Sequence, residues 1–120
     1  MKKDNDNIIV MKSKTFALRS IKLYRYMIEE EHEYVLSKQF LRSATSIGAN
    51  VKEAIRGQSD ADFGAKMNIA LKEASESEYW LELLHDSGYI SIEKAEDILN
   101  DCREVIRILM AIVKTIFDKK

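Results

Sequence analysis

The sequence predicts an all-α protein, an up-down-up-down four-helix bundle. Three observations carry that expectation. The chain has no proline and only 4 glycines in 120 residues, so helix breakers are almost missing. Apolar residues recur at helical spacing through four segments. Two of the glycines, Gly57 and Gly88, fall between those segments, where only short links fit. Short links make consecutive helices fold back antiparallel.

The first twelve residues read as a separate N-terminal arm, a polar lead followed by Ile8-Ile9-Val10-Met11. Residues 13–120 form the bundle domain. Its first helix is predicted from Ser13, an N-cap residue type, to about Glu31, with Ala17, Ile21, Tyr24 and Ile28 facing inward. Glu29, Glu30, Glu31 and Glu33 then oppose the helix dipole and help to end it. The second helix is predicted from Leu36 to Arg56, with Gly57 just past its last turn. Phe40, Ala44, Ile47, Val51 and Ala54 form its apolar stripe. Beside it run Ser43, Ser46, Asn50, Glu53 and Gly57, a small or polar seam that lets another helix come close. The third helix follows Ser59, which with Asp62 resembles a capping box. Its stripe is Phe63, Met67, Ala70, Ala74, Ser77, Leu81 and Leu84, and Gly88 ends it. Ser91 caps the fourth helix, with Ile92, Ala95, Leu99, Cys102, Ile106, Leu109, Val113 and Ile116 inward. From Ile92 to Phe117 that helix is about 39 Å long.

Length and composition bound the rest. A chain of this size is one domain and can bury about two-thirds of its unfolded surface. Its net charge is -1, from 19 basic and 20 acidic residues, unlike a dedicated electrostatic clamp for DNA or RNA. The charge is uneven. Residues 1–58 hold 11 Lys and Arg against 7 Asp and Glu, whereas residues 59–120 hold 8 against 13. One half is basic and the other acidic. Cys102 is the single cysteine, which excludes an internal disulfide, and its place on an apolar stripe makes it a buried, inert thiol. Lys2 and Lys3 precede an apolar run too short for a signal peptide, and no stretch reaches the length of a membrane span. The expected location is the cytoplasm.

Two helices carry more apolar surface than one core uses. Between Val105 and Phe117 only Arg107, Lys114 and Thr115 are polar. Ile108, Met110, Ile112 and Phe117 therefore point in several directions, and Ile69, Trp80 and Leu83 lie off the core stripe of the third helix. Clustered surplus apolar residues mark partners. These seven are the expected oligomer interface, and self-association follows.

Polar residues offer several chemistries. Counting outward from the turn at Gly57 places Glu73 opposite Arg42 and Ser43, with Glu76 nearby. Paired carboxylates can do acid–base work. The reading preferred here is an interhelical polar network of Arg42, Ser43, Ser46, Asn50, Glu53, Glu73 and Glu76, because buried charges need partners. Two Glu-x-x-His matches, Glu29 with His32 and Glu82 with His85, raise a di-metal carboxylate enzyme as a distant alternative. Both histidines sit at helix ends, so neither a metal nor another cofactor is expected. Cys102 has no histidine in register, and no phosphate loop is present, so no catalytic residue is assigned. A basic strip is the remaining candidate. Lys12, Lys14, Arg19, Lys22 and Arg25 lie along the first helix, and Lys38, Arg42, Lys52 and Arg56 along the second. Tyr24, Tyr26 and Tyr34 could stack on bases. All but Lys12 of these cations are taken as the candidate nucleic-acid surface.

Ser46-Ile47-Gly48-Ala49-Asn50-Val51-Lys52-Glu53-Ala54, then Glu73-Ala74-Ser75-Glu76-Ser77-Glu78-Tyr79-Trp80-Leu81 and the turn Asp86-Ser87-Gly88-Tyr89, resemble the bacterial four-helix-bundle family of 23S rRNA intervening-sequence proteins. The resemblance runs from about Asn7 to Phe117. Relatives include the accessory protein of diversity-generating retroelements, which partners a reverse transcriptase. The resemblance implies a homopentameric ring, no enzymatic activity, and RNA binding for members encoded within ribosomal RNA insertions. The retroelement relatives are strongly basic and this chain is not, which departs from that accessory role. The expected function is a non-enzymatic oligomeric scaffold or binding protein, with RNA or a nucleoprotein as partner. The alternative is a protein–protein adaptor without nucleic-acid contact.

Overall fold

A computed structural model describes residues 4–118, which form four helices. These are α1 (Asp4–Glu29), α2 (Leu36–Ile55), α3 (Asp60–Asp86) and α4 (Ile92–Phe117), and no strand occurs among the described residues. The body measures 47 × 20 × 19 Å, as expected of side-by-side helices near 39 Å long. Contacts run α1–α2, α2–α3, α3–α4 and α4–α1, with α2 against α3 the most extensive pairing.

Cross-helix contacts fix the directions. Glu53 meets Lys66 while Arg42 meets Glu76, so numbers rising along α2 fall along α3. Lys12 meets Glu104 while Arg19 meets Asp97 and Asp101, which makes α1 and α4 antiparallel. Cys102 Sγ lies 3.4 Å from the Ala74 carbonyl, and Ile116 lies against Gly64, which makes α3 and α4 antiparallel.

The ends of the helices follow from local chemistry. The Ser59 hydroxyl accepts from the Asp62 N–H at 3.0 Å, and the Ser91 hydroxyl from the Lys94 N–H at 3.3 Å. Gly88 sits at φ 91°, a left-handed conformation that glycine adopts without strain. It lets Tyr89 N–H reach back to the Leu84 carbonyl and close α3.

The start of α2 is built differently. Its N-cap position is Val35, which offers no side-chain acceptor. The Glu33 carboxylate takes over, accepting from the N–H groups of Val35 (3.0 Å), Leu36 (2.9 Å) and Ser37 (2.7 Å). The Ser37 hydroxyl returns a hydrogen bond to the Glu33 carbonyl. Glu33 therefore starts α2; the sequence expectation that it serves to stop α1 is corrected. Burial pushes its carboxyl up, but the bonds from Leu36, Ser37 and Val35 outweigh that and hold it below the usual glutamate value.

The first helix differs from expectation in two ways. It begins at Asp4, so the segment from residue 4 to 12 is helix and belongs to the bundle. Residues 1–3 of the expected arm lie outside the described residues. Ser13 is no cap: it is buried, and its hydroxyl donates to the Val10 carbonyl. The inward stripe is Ile9, Ser13, Phe16, Ser20 and Met27. Ala17, Ile21, Tyr24 and Ile28 are half-buried at its edge.

The core gathers one stripe from each helix. Phe16 and Phe40 meet edge to face, centroids 6.3 Å apart at 87°, and join α1 to α2. Ile47, Met67, Leu81, Leu84, Val105 and Leu109 fill the centre. Ser43 and Ser77 face each other at 2.9 Å where α2 and α3 approach, fully buried and satisfied by each other and their own helices. Gly64 keeps α3 close to α4, since a Cβ there would stand 2.9 Å from Ile116 Cγ2.

Candidate polyanion-binding face

The four seams of the bundle are chemically unequal. Ion pairs cross three of them. Lys12–Glu104 and Arg19 with Asp97 and Asp101 bridge α1 and α4. Arg42 with Glu73 and Glu76, and Lys66 with Glu53, bridge α2 and α3. Arg103 with Glu78 and Glu82 bridges α3 and α4. The hydrogen bond that Arg103 donates to Glu78 holds its guanidinium further above the usual value. Among the ion pairs of the described residues, none crosses the α1–α2 seam.

Exposed cations that cross no other seam stand on these two helices. Lys14, Lys22 and Arg25 are on α1, Lys38 and Lys52 on α2, and Arg56 at its C-cap, all exposed. Lys14, Lys52 and Arg56 share the rim of one groove of about 390 Å³. Between them the lining is mostly apolar or small, with Val10, Ser13 and Ala17 from α1 and Thr45, Gly48, Ala49, Val51 and Ile55 from α2. Among the described residues no carboxylate lines the groove. Gly48 faces Ser13 across the seam, where a Cβ would stand 3.5 Å from Ser13 Oγ, an ordinary contact.

Two members of the expected nucleic-acid surface are placed elsewhere. Arg19 and Arg42 are engaged with acidic neighbours on other seams, as is Lys12. The tyrosines also scatter. Tyr26 lies under the Lys94 ammonium, 3.5 Å from ring centre to nitrogen, and donates to Glu31. Tyr24 is half-buried, and Tyr34 is exposed beside His32.

The polar seam between α2 and α3 is partly a cross-helix network. Arg42, Glu73 and Glu76 converge, Trp80 Nε1 donates to Glu76 at 3.3 Å, and Ser43 meets Ser77. Ser46 and Asn50 do not cross. The Ser46 hydroxyl donates to the Arg42 carbonyl, and the Asn50 amide to the Ser46 carbonyl. Short polar side chains one turn from a carbonyl satisfy themselves within their own helix.

The apolar residues expected at an interface also divide. Ile69, Met110 and Phe117 are exposed at 40%, 55% and 50%. Trp80, Leu83 and Ile108 are half-buried. Ile112 is 5% exposed and belongs to the core, which corrects its place at the surface. The sequence had not singled out Leu18, exposed at 59%. Ile8 and Met11, expected in an arm, carry an exposed face of α1.

The remaining chemistry is distributed. Burial, ahead of the nearby Glu78 charge, pushes the Cys102 thiol up to about 12, which leaves it protonated and unreactive. His85 bonds Asp86, and Glu82 reaches Arg103. Among the described residues no group of three or more His, Cys, Asp and Glu side chains converges as a metal site. No helix among them is long and apolar enough to cross a membrane.

The model of the 23S rRNA-intervening sequence protein family matches residues 5–111. The chain belongs to that family. A crystal structure from Bacteroides thetaiotaomicron, described as a protein of unknown function from the S23 ribosomal protein family, shares 53% identity at a TM-score of 0.90. That similarity covers 92% of this chain and 98% of the other. No curated protein matches the chain. Family membership thus carries the four-helix architecture and leaves the activity open.

Proposed function

We propose that this member of the family is a cytoplasmic, non-enzymatic, self-associating bundle whose α1–α2 face binds RNA or a nucleoprotein. One observation carries the proposal: Lys14, Lys52 and Arg56 stand unpaired around one groove of the α1–α2 seam, whereas ion pairs bridge the other three seams. A polyanion laid there releases counterions without first breaking an ion pair. The family's description, tied to 23S rRNA, agrees with that chemistry. Filter binding to single-stranded RNA across a salt series tests it. With contacts from Lys14, Lys22, Arg25, Lys38, Lys52 and Arg56, log affinity should fall against log salt with a slope of about -4. Replacing Lys14, Lys52 and Arg56 by glutamine should reduce that slope by about 2. An affinity insensitive to salt overturns the proposal.

Self-association is supported by Ile69, Met110 and Phe117, apolar residues held open to water away from the α1–α2 face. The arrangement proposed is the homopentameric ring implied by the family resemblance. Light scattering on a sizing column at micromolar concentration should give a mass several times the 13.9 kDa of one chain. A single-chain mass removes this part. The second reading, a protein–protein adaptor, is favoured by Tyr34 and Val35, exposed at 58% and 71% in the α1–α2 turn.

A further inference from the structure

The α1–α2 seam is recessed as well as basic, and the recess decides which form of nucleic acid fits. This step rests on the polyanion reading above. A duplex keeps its bases stacked inside and offers an outer surface of phosphate and sugar. Such a rod would meet Lys14, Lys52 and Arg56 at the rim and leave the floor between them unfilled. Between them lie Val10, Ala17, Ala49, Val51 and Ile55, with the hydroxyls of Ser13 and Thr45 already donating to the Val10 and Leu41 carbonyls of their own helices, so this lining favours a flat apolar group over a phosphate. An unstacked base is such a group, and the phosphates on either side of it would then fall at the cationic rim. Ala49, the exposed member of the lining, adds only a methyl group, so the strand can approach α2 closely.

We propose that the α1–α2 groove binds single-stranded RNA, with one base on its apolar floor and the flanking phosphates on Lys14, Lys52 and Arg56. The groove discriminates strand state by shape, and its cations supply attraction that is blind to sequence.

Fluorescence anisotropy with the full chain tests this, using an unstructured single-stranded RNA and a duplex of matched phosphate number in the same salt. Two variants plug the groove without replacing a cation or adding a ring on which a base could stack: Ala49→Leu from α2 and Ala17→Leu from α1. The single strand should bind about tenfold more tightly than the duplex. Each plug should weaken the single strand by about tenfold and change the duplex by less than about twofold. Equal affinity for both forms, or plugs that leave single-strand binding unchanged, overturns the groove and leaves the polyanion reading standing. Failure of the unmodified protein to bind either form removes both. A polyglutamate chain that displaces the single strand as well, charge for charge, as unlabelled RNA does overturns the groove in favour of an acidic protein partner.

Discussion

Replacing Phe40 with alanine should destabilise the protein by about 3–5 kcal/mol, the range for an aromatic ring removed from a packed core. Phe40 is 0% exposed and its ring meets Phe16 edge to face, so no water can enter to compensate. About 0.5–1.5 kcal/mol of that loss belongs to the ring pair beyond simple burial. Domains of this kind are stable by about 5–15 kcal/mol, so the variant should stand near the threshold of unfolding. Urea denaturation reads the loss as a lower midpoint at unchanged slope. Phe16→Ala together with Phe40→Ala should cost less than the two single changes added, by the energy of the shared contact. A Phe40→Ala cost under about 1 kcal/mol would place the ring outside the core.

That pair also marks how far the sequence alone reaches. The stripe of α2 was legible because Phe40, Ala44, Ile47, Val51 and Ala54 are all apolar and all buried. The starts of α3 and α4 were legible because Ser59 and Ser91 are residues that cap by their own hydroxyls. Phe16 was missed because the inner stripe of α1 alternates with Ser13 and Ser20. Ser20 donates to the Phe16 carbonyl at 2.7 Å, so it can be buried with its hydrogen bond already made. A periodicity that counts only apolar residues slides off that stripe to Ala17, Ile21, Tyr24 and Ile28. The same error turned residues 4–12 into an arm, since among the described side chains there only Ile9 is a fully buried apolar residue, with Val10 at the edge of the core.

The candidate face was half legible for a different reason. Which residues are cations is written in the chain, but which of them are neutralised depends on the register between helices. Register could be counted outward from the short turn at Gly57, which put Arg42 beside Glu73. It could not be counted between α1 and α4, which are joined only through the other two helices. Arg19 therefore read as free, although it bridges to Asp97 and Asp101. The groove needs still more: it appears where Ala17, Gly48 and Ala49 meet across two helices, and no single stretch of sequence contains it.

Glu33→Ala should cost about 2–4 kcal/mol, more than a surface glutamate change and comparable to loss of a strong helix cap. Three backbone N–H groups at the start of α2 lose their acceptor together, and those of Leu36 and Ser37 open onto half-buried and buried positions. The helix dipole adds to the loss, because the missing charge sat at the positive end. Glu33→Gln separates the two contributions. It keeps a carbonyl acceptor and removes the charge, so it should recover part of the stability. The pH dependence has a fixed sign. The folded carboxyl is held below its ordinary value, so the unfolded chain takes up a proton first as the pH falls. The stabilisation is complete above the ordinary glutamate value of 4.5 and disappears as the pH drops through the lower folded value. Thermal melts of the unmodified protein should therefore fall steeply in acid below about pH 4.5. The Glu33→Gln protein should melt lower at neutral pH and lose less on acidification, so that the two curves converge. Parallel curves would show that Glu33 is not the group whose protonation undoes the start of α2.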